Sequence, residues 1–322
     1  MKAGSRHGWM LVGMLWLGAA LLLTACTDVR PVAKIGLIAP FEGLYRRTGY
    51  AALEQMRAAI AGAADSQPAL IPLALDDSAN VYRSLRAAQK LLVDPTVQAI
   101  VGPLAPAQGA AAAAAIRAAG VPWILPYAVA PAGGFVDPAR SNEWATGLIA
   151  AAGSAARRQG AQMLVLAGDS TGWPALSSDA WAAVAGMPVA RITGAASDAA
   201  TLTGDEAIFW LGAPAAAADF LNGLRPLYPE MPVWIGQGGS DPVLAERAQS
   251  DHRLYWVVWS NPHYTGWAAH SASTPEAFLV YQATQAAIAA TLGAAVTSTV
   301  PWTVELFEYA PDGLSRPFTP GP

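Results

Sequence analysis

The sequence has little cysteine, little lysine and little charge. Cys26 is the only cysteine of the 322 residues, so the chain can form no internal disulfide, and its stability must come from apolar burial. Charged residues make up 13% of the chain and hydrophobic residues 53%, which is typical of a packed globular protein and excludes a disordered one. The formal net charge of −4 argues against nucleic acid as a partner.

The N-terminus has the layout of a lipoprotein signal peptide. Lys2 and Arg6 precede an apolar run over residues 9–23, which has the length of a signal-peptide core and is short for a bilayer span. The run ends in Leu23-Thr24-Ala25-Cys26, which resembles the bacterial lipobox, where the cysteine takes a lipid and becomes the new N-terminus. We therefore expect a signal peptide over residues 1–25, a lipid anchor on the cysteine, and an extracytoplasmic location in the periplasm or on the cell surface. A plain signal anchor with a chance cysteine is the alternative.

Short apolar strands alternate with alanine-rich helices from residue 34 onward. Strands are expected at 34–39, 69–76, 97–102, 121–126, 162–167, 188–193, 207–211, 233–236, 253–259 and 302–309. Helices are expected at 48–63, 81–93, 107–119, 215–227 and 275–292. Regular alternation of this kind predicts an α/β fold with mostly parallel sheets flanked by helices.

The pattern restarts after a stretch rich in glycine and proline at residues 131–140, which indicates two lobes. We expect an N-terminal lobe of residues 32–143 with 260–300, and a C-terminal lobe of residues 144–259 with 301–322. Ligands of open α/β sheets bind beyond the carboxyl ends of the strands. This geometry predicts a site between the two lobes.

Several strand ends, taken in order, resemble those of the type I periplasmic binding proteins of the leucine/isoleucine/valine-binding family. The similar pieces are Lys34-Ile-Gly-Leu-Ile-Ala-Pro-Phe-Glu-Gly43, Leu75-Asp-Asp-Ser78, Ala99-Ile-Val-Gly-Pro-Leu104, Ala119-Gly-Val-Pro-Trp-Ile-Leu-Pro126 and Ile208-Phe-Trp-Leu-Gly212. The resemblance implies a hinged, two-lobed receptor with a periplasmic-binding-protein-like I fold. Such a receptor closes on a small solute and delivers it to an ABC permease in the inner membrane, without cofactor or catalysis.

The chain departs from the amino-acid binders of this family at each expected polar anchor. The family implies a hydroxyl for the ligand carboxylate where this chain has Ala105-Pro106-Ala107, and a second one where it has Tyr127-Ala128-Val129. The acid that pairs with the ligand ammonium is absent near Gln237, although Asp241 is close. A buried zwitterion without partners would cost several kcal/mol per charge. A standard α-amino acid is therefore not the expected ligand.

Aromatic residues on the predicted cleft loops suit an uncharged, aromatic, amide or sugar-like solute. The candidate ligand-binding residues are Tyr45, Arg46, Thr48, Ala105, Pro106, Tyr127, Ala128, Val129, Trp173, Gly212, Gln237 and Asp241. Each has a plainer interpretation: the tryptophans and tyrosines could pack in the core or at the rim, and Arg46 with Arg47 could form a solvated turn instead of meeting an anion. Asp76 and Asp77 are expected to cap the following helix.

Catalytic interpretations find little support. Gly168-Asp169-Ser170 resembles the nucleophile block of Gly-Asp-Ser hydrolases, but those enzymes need a histidine with an aspartate three residues earlier. None of His252, His263 and His270 has one, and their spacing does not suit a metal site. No glycine-rich phosphate loop follows the first strand. The alternative function is a sensory or protein-interaction lipoprotein that keeps the scaffold without a solute.

Overall fold

The computed structural model describes residues 31–248, 253–271, 274–294, 300–309 and 315–318. The predicted signal peptide, lipobox and Cys26 lie outside these residues, as does His252. The strands are β1 (Val32–Ala39), β2 (Ala69–Asp76), β3 (Val97–Val101), β4 (Trp123–Ile124), β5 (Met163–Ala167), β6 (Val189–Ile192), β7 (Glu206–Trp210), β8 (Val233–Ile235), β9 (Leu254–Ser260), β10 (Thr303–Tyr309) and β11 (Ser315–Pro317).

The helices connect and cover the strands. They are α1 (Arg46–Ala61), α2 (Val81–Val93), α3 (Pro106–Ala119), α4 (Glu143–Arg158), α5 (Ser178–Ala185), α6 (Pro214–Leu224), α7 (Pro242–Arg247), α8 (His263–Ser271) and α9 (Pro275–Thr291), with a 3₁₀ turn at Ala196–Thr201. Within the described residues, no helix has the length and apolar character needed to cross a membrane.

A four-stranded parallel sheet in the order β2-β1-β3-β4 forms what we call the first lobe. Residues of β1 alternate between its two faces. Leu37 packs with Met56 of α1 and Ala283 of α9 on one face, and Ile38 packs with Leu91 of α2 on the other. Because both faces are covered, β1 is the continuous apolar run that a doubly buried strand requires.

A seven-stranded sheet in the order β11-β10-β9-β8-β7-β5-β6 forms the second lobe. Strands β5 to β9 pair in parallel, whereas β10 runs antiparallel to β9, and β11 antiparallel to β10. Its core is rich in tryptophan, and Trp259 of β9 donates its ring N–H to the carbonyl of Trp144 on α4 at 2.8 Å. The predicted 302–309 strand lies beside β9 in this antiparallel edge, although α8 and α9 come between the two strands in the chain.

These two sheets confirm the expected α/β class with mostly parallel sheets flanked by helices. The chain passes between them after β4, after β9 and after α9, and α9 packs on the first lobe. The strand predicted at 121–126 is much shorter in the structure. Only Trp123–Ile124 pair with β3, because Pro122 and Pro126 have no N–H to donate. The exact lobe boundaries of 32–143 with 260–300 and 144–259 with 301–322 stay a prediction.

Candidate functional site

A cavity of about 620 Å³ lies between the two lobes. From the first lobe it is lined by the loops after β1, β2, β3 and β4 and by the start of α1. From the second lobe it is lined by the loops after β5, β7 and β8, and the first turns of α9 close one side. It therefore occupies the carboxyl ends of both sets of parallel strands, the position that the fold class predicts for a ligand.

The loop after β2 places a buried carboxylate at the cavity wall. Asp77 is 1% exposed, and its side chain accepts the N–H of Ala79 at 2.9 Å. Burial raises the pKa of Asp77 to about 6, partly offset by this hydrogen bond, and the nearby Asp76 raises it further. The expected capping role belongs instead to Asn80, whose side chain accepts the first free N–H groups of α2. Asp76 holds the neighbouring turn by accepting N–H groups from the loop after β1.

The start of α3 contacts both lobes: it is hydrogen-bonded to the first lobe and lies against a loop of the second. Gln108 donates to the carbonyl of Ala79 at 2.7 Å, which ties α3 to the loop after β2. From the second lobe, Gly172 approaches Pro106 so closely that a Cβ at this glycine would lie 2.1 Å from the Pro106 carbonyl oxygen. With φ at +83°, Gly172 also has a backbone conformation that L-residues rarely adopt. Glycine is therefore required where the lobes touch.

Polar contacts join the lobes around the cavity. Thr48 donates its hydroxyl to Asp241 at 2.5 Å, and the hydroxyl of Tyr45 accepts the N–H of Ala215 at 3.2 Å. Asp241 is 6% exposed and also caps α7 through the N–H of Val243. Burial raises the pKa of Asp241, and the Thr48 hydrogen bond opposes this rise.

A second carboxylate from α9 reaches the same region. Glu276 accepts the N–H of Ser240 at 3.1 Å and also accepts the Ser240 hydroxyl, so it joins α9 to the loop after β8. Burial raises the pKa of Glu276, the Ser240 hydrogen bonds oppose the rise, and the charge of Asp241 adds to it. At the rim, Arg47 and Glu246 form an exposed ion pair across the two lobes at 2.5 Å.

Seven of the twelve candidate ligand-binding residues line this cavity. They are Tyr45, Thr48, Ala105, Pro106, Gly212, Gln237 and Asp241. Arg46 is exposed on α1 outside the lining, whereas its neighbour Arg47 is part of it. Sequence reasoning missed Asp77 as a lining residue, and it missed Glu276 and Gln108 altogether. Asp77 immediately follows a strand and Gln108 begins a helix, and both positions point to the cavity edge.

Four other candidate ligand-binding residues, Tyr127, Ala128, Val129 and Trp173, are buried and are not among the described lining residues of this cavity. Tyr127 is 2% exposed, with its ring edge-on to Trp144, and it lies beneath Gly109 of α3. Ala128 and Val129 are fully buried in the second-lobe core. Trp173 turns inward between Trp144 and Phe209 and donates its ring N–H to the carbonyl of Leu211 at 2.9 Å. The plainer interpretation of these aromatic residues, core packing, is the one the structure shows.

Comparison with solved structures shows the same fold. A leucine-binding protein from Thermotoga maritima is 18% identical with a TM-score of 0.69, covering 89% of this chain and 98% of its own. A branched-chain amino acid transporter substrate-binding protein from Streptococcus pneumoniae, in complex with isoleucine, is 17% identical with a TM-score of 0.62, covering 90% and 100%. An ABC transporter solute-binding protein from R. palustris, in complex with 4-hydroxybenzoate, is 16% identical with a TM-score of 0.65, covering 90% and 98%.

No protein-family model matches the sequence, and a search of curated proteins found no match. The structural neighbours confirm the resemblance to leucine/isoleucine/valine-binding proteins at the level of the fold. At 14–18% sequence identity, these neighbours show the fold of the chain but not its ligand.

Proposed function

We propose that this chain is a lipid-anchored extracytoplasmic solute-binding protein that captures a small molecule between its lobes and delivers it to an ABC permease in the inner membrane. The observation that carries the proposal is the cavity of about 620 Å³ between the lobes, lined by loops of both. This volume lies within the usual range for small-molecule sites, about 300–1,000 Å³. The neighbours of the same fold that bind isoleucine and 4-hydroxybenzoate support it.

Closure of the lobes provides the signal that a permease can recognise. A solute that contacts both walls only when the lobes are together favours the closed form by its difference in affinity for the two forms. Tyr45 and Thr48 lie on one wall and Gln237 and Asp241 on the other, so one molecule can contact both. We propose that the site binds its solute without a catalytic step.

The ligand we propose is not a standard α-amino acid. Ala105 and Ala107 at the start of α3 carry no hydroxyl for a carboxylate, and Gly172 covers this helix start from the second lobe. The aromatic stacking expected from Trp173 and Tyr127 is replaced by core packing. A zwitterion would therefore lack, at the start of α3, the hydroxyl partner that offsets the desolvation of its carboxylate in the amino-acid binders of the family.

A thermal-shift screen tests the proposal. The full chain, purified in a nonionic detergent, is heated with amines, amides, sugars, heterocycles, amino acids and carboxylates. Binding to the folded state alone raises stability by about 2.7 kcal/mol at one hundred times the dissociation constant, which is several degrees for a domain of this size. We expect one class to give such a shift. No shift across the panel would contradict solute capture.

One observation favours the alternative, a protein-interaction or sensory lipoprotein without a solute. The groups that line the two walls already bond to each other, Thr48 to Asp241 and Ser240 to Glu276. These bonds could hold the lobes in one arrangement for a protein partner. Co-purification of a stoichiometric envelope protein, together with a negative screen, would support that function.

A further inference from the structure

We infer that the cavity takes an aliphatic organic cation, a diamine or polyamine, with its positive charges spread along an apolar chain. This rests on the proposed solute-binding function and names the class of solute. Three properties of the described lining carry it: an excess of carboxylates spread around the wall, protein partners for several of the N–H groups that could bind an anion, and aliphatic surfaces between the charges.

Carboxylates outnumber cations in the described lining. Asp77, Asp169, Asp241 and Glu276 contribute four acidic groups from both lobes, and Arg47 is the one basic residue. Arg47 is already paired with Glu246 at the rim. An anion entering the cavity would meet a negative field strengthened by low-dielectric walls, whereas a cation would be stabilised by it. Burial raises the pKa values of Asp77, Asp241 and Glu276, and the nearby Arg47 opposes this rise at Asp241.

Several N–H groups that could bind an anion are occupied by the protein itself. Asn80, Asp241 and Thr274 cap three of the helices that begin at the cavity, α2, α7 and α9, and the N–H of Ala215 in α6 donates to Tyr45. The start of α3 has no side-chain cap. The carboxylates keep capacity to accept, because each has about four lone-pair sites and Asp241 uses two of them in the hydrogen bonds described. The N–H groups of an ammonium ion can donate hydrogen bonds to these remaining acceptor sites.

The acidic groups are separated by aliphatic wall. Within the described chain, no three histidine, cysteine or acidic side chains converge closely enough to hold a metal ion. The surface between them is formed by residues such as Ala52, Leu104, Pro214 and Val280, and Tyr45 is the one aromatic residue of the described lining. Spread charges on aliphatic walls suit a flexible amine with several nitrogens better than a compact metal ion or a flat ring.

Three molecules of equal length test the inference: 1,8-diaminooctane, 1,8-octanediol and suberate. Isothermal titration and thermal shift of the full chain at pH 7.5 compare a dication, a neutral molecule and a dianion on one carbon skeleton. We expect the diamine to bind at least tenfold more tightly than the diol, its affinity to fall as salt is raised, and suberate not to bind. Glu276→Gln should weaken diamine binding about tenfold, whereas Glu54→Gln, the same change at an exposed position of α1, should leave it unaltered.

Two results would overturn the inference. If the diol or suberate binds as tightly as the diamine, or if Glu276→Gln and Glu54→Gln bind it equally, the cavity does not select cations, although the chain can still be a solute receptor. If none of the three binds while a sugar or heterocycle does, the solute class is wrong and the proposed function stands. The proposed function fails separately, by a negative result across the whole screening panel.

Discussion

Gly172→Ala is expected to force the two lobes apart. The new methyl group would lie 2.1 Å from the Pro106 carbonyl oxygen and 3.0 Å from the Ala107 nitrogen, both backbone atoms that no side-chain rotation can move. Relief to an ordinary contact of 3.4 Å requires a separation of more than about 1 Å at this point. Overpacking of this kind costs about 1–3 kcal/mol, and the cost falls on the closed form alone because Pro106 belongs to the other lobe.

The backbone penalty of the substitution can be separated from the clash by a matched control. Gly160 has a φ of +94°, close to the +83° of Gly172, but a Cβ there would meet nothing within 4 Å. Alanine at either position carries the left-handed penalty of about 1–2 kcal/mol. Gly160→Ala therefore measures the cost of alanine in a left-handed backbone conformation. The difference in solute affinity between the two variants then measures the effect of the clash between the lobes.

Affinity and small-angle X-ray scattering measure the difference. With 1–3 kcal/mol against closure, Gly172→Ala should bind solute about 5- to 150-fold more weakly than Gly160→Ala. Its radius of gyration should also exceed that of Gly160→Ala in the presence of solute. Equal affinities and equal scattering curves would refute the close approach of the loop after β5 to α3.

Three further changes have distinct expected outcomes. Burial raises the pKa of Asp77 from its ordinary value of 3.8 to about 6. Between these two pH values the carboxyl is protonated in the native state but not in the unfolded state. The free energy of unfolding therefore falls as pH rises from about 4 to 7. In Asp77→Asn, the free energy of unfolding from urea titrations should fall by up to about 3 kcal/mol less over this pH range than in the unaltered chain. The same pH dependence in both proteins would contradict the burial of this carboxylate. Trp173→Phe should cost about 1 kcal/mol of unfolding free energy by leaving the Leu211 carbonyl unpaired, with solute affinity within twofold; a tenfold loss of affinity at unchanged stability would return Trp173 to the site. Cys26→Ser should release the chain from membrane fractions in a fractionation assay, and continued tight association would rule out the lipid anchor.

The order of strands and helices was predictable because each leaves a local pattern in the sequence. The predicted bounds of β2 and α2 are those observed, since Ala69–Asp76 is a bounded apolar run and Val81–Val93 places Leu85, Ala88 and Leu91 on one face. The loops that line the cavity followed from this order, because the carboxyl ends of parallel strands share one edge of a sheet. This is why residues as small as Ala105 and Gly212 could be placed at the site.

Side-chain direction within those loops was not predictable in the same way. Trp173 follows Gly172 and Gly168, both with positive φ, and these turns point the indole back into the second lobe. Tyr127 follows Pro126 in a turn closed by the N–H of Ala128 and the carbonyl of Leu125, which directs its ring beneath α3. Glu276 enters the site from a helix distant in sequence, through a contact with Ser240 that no local pattern encodes.

Native mass spectrometry of the full chain most directly tests the claim that a small molecule is held between the lobes. The protein is released from detergent after incubation with a small-molecule extract of its host cells. We expect one added mass per chain, lost on denaturation and reduced in Gly172→Ala relative to Gly160→Ala. A spectrum showing the bare chain alone, under conditions in which both lobes are folded, would contradict it.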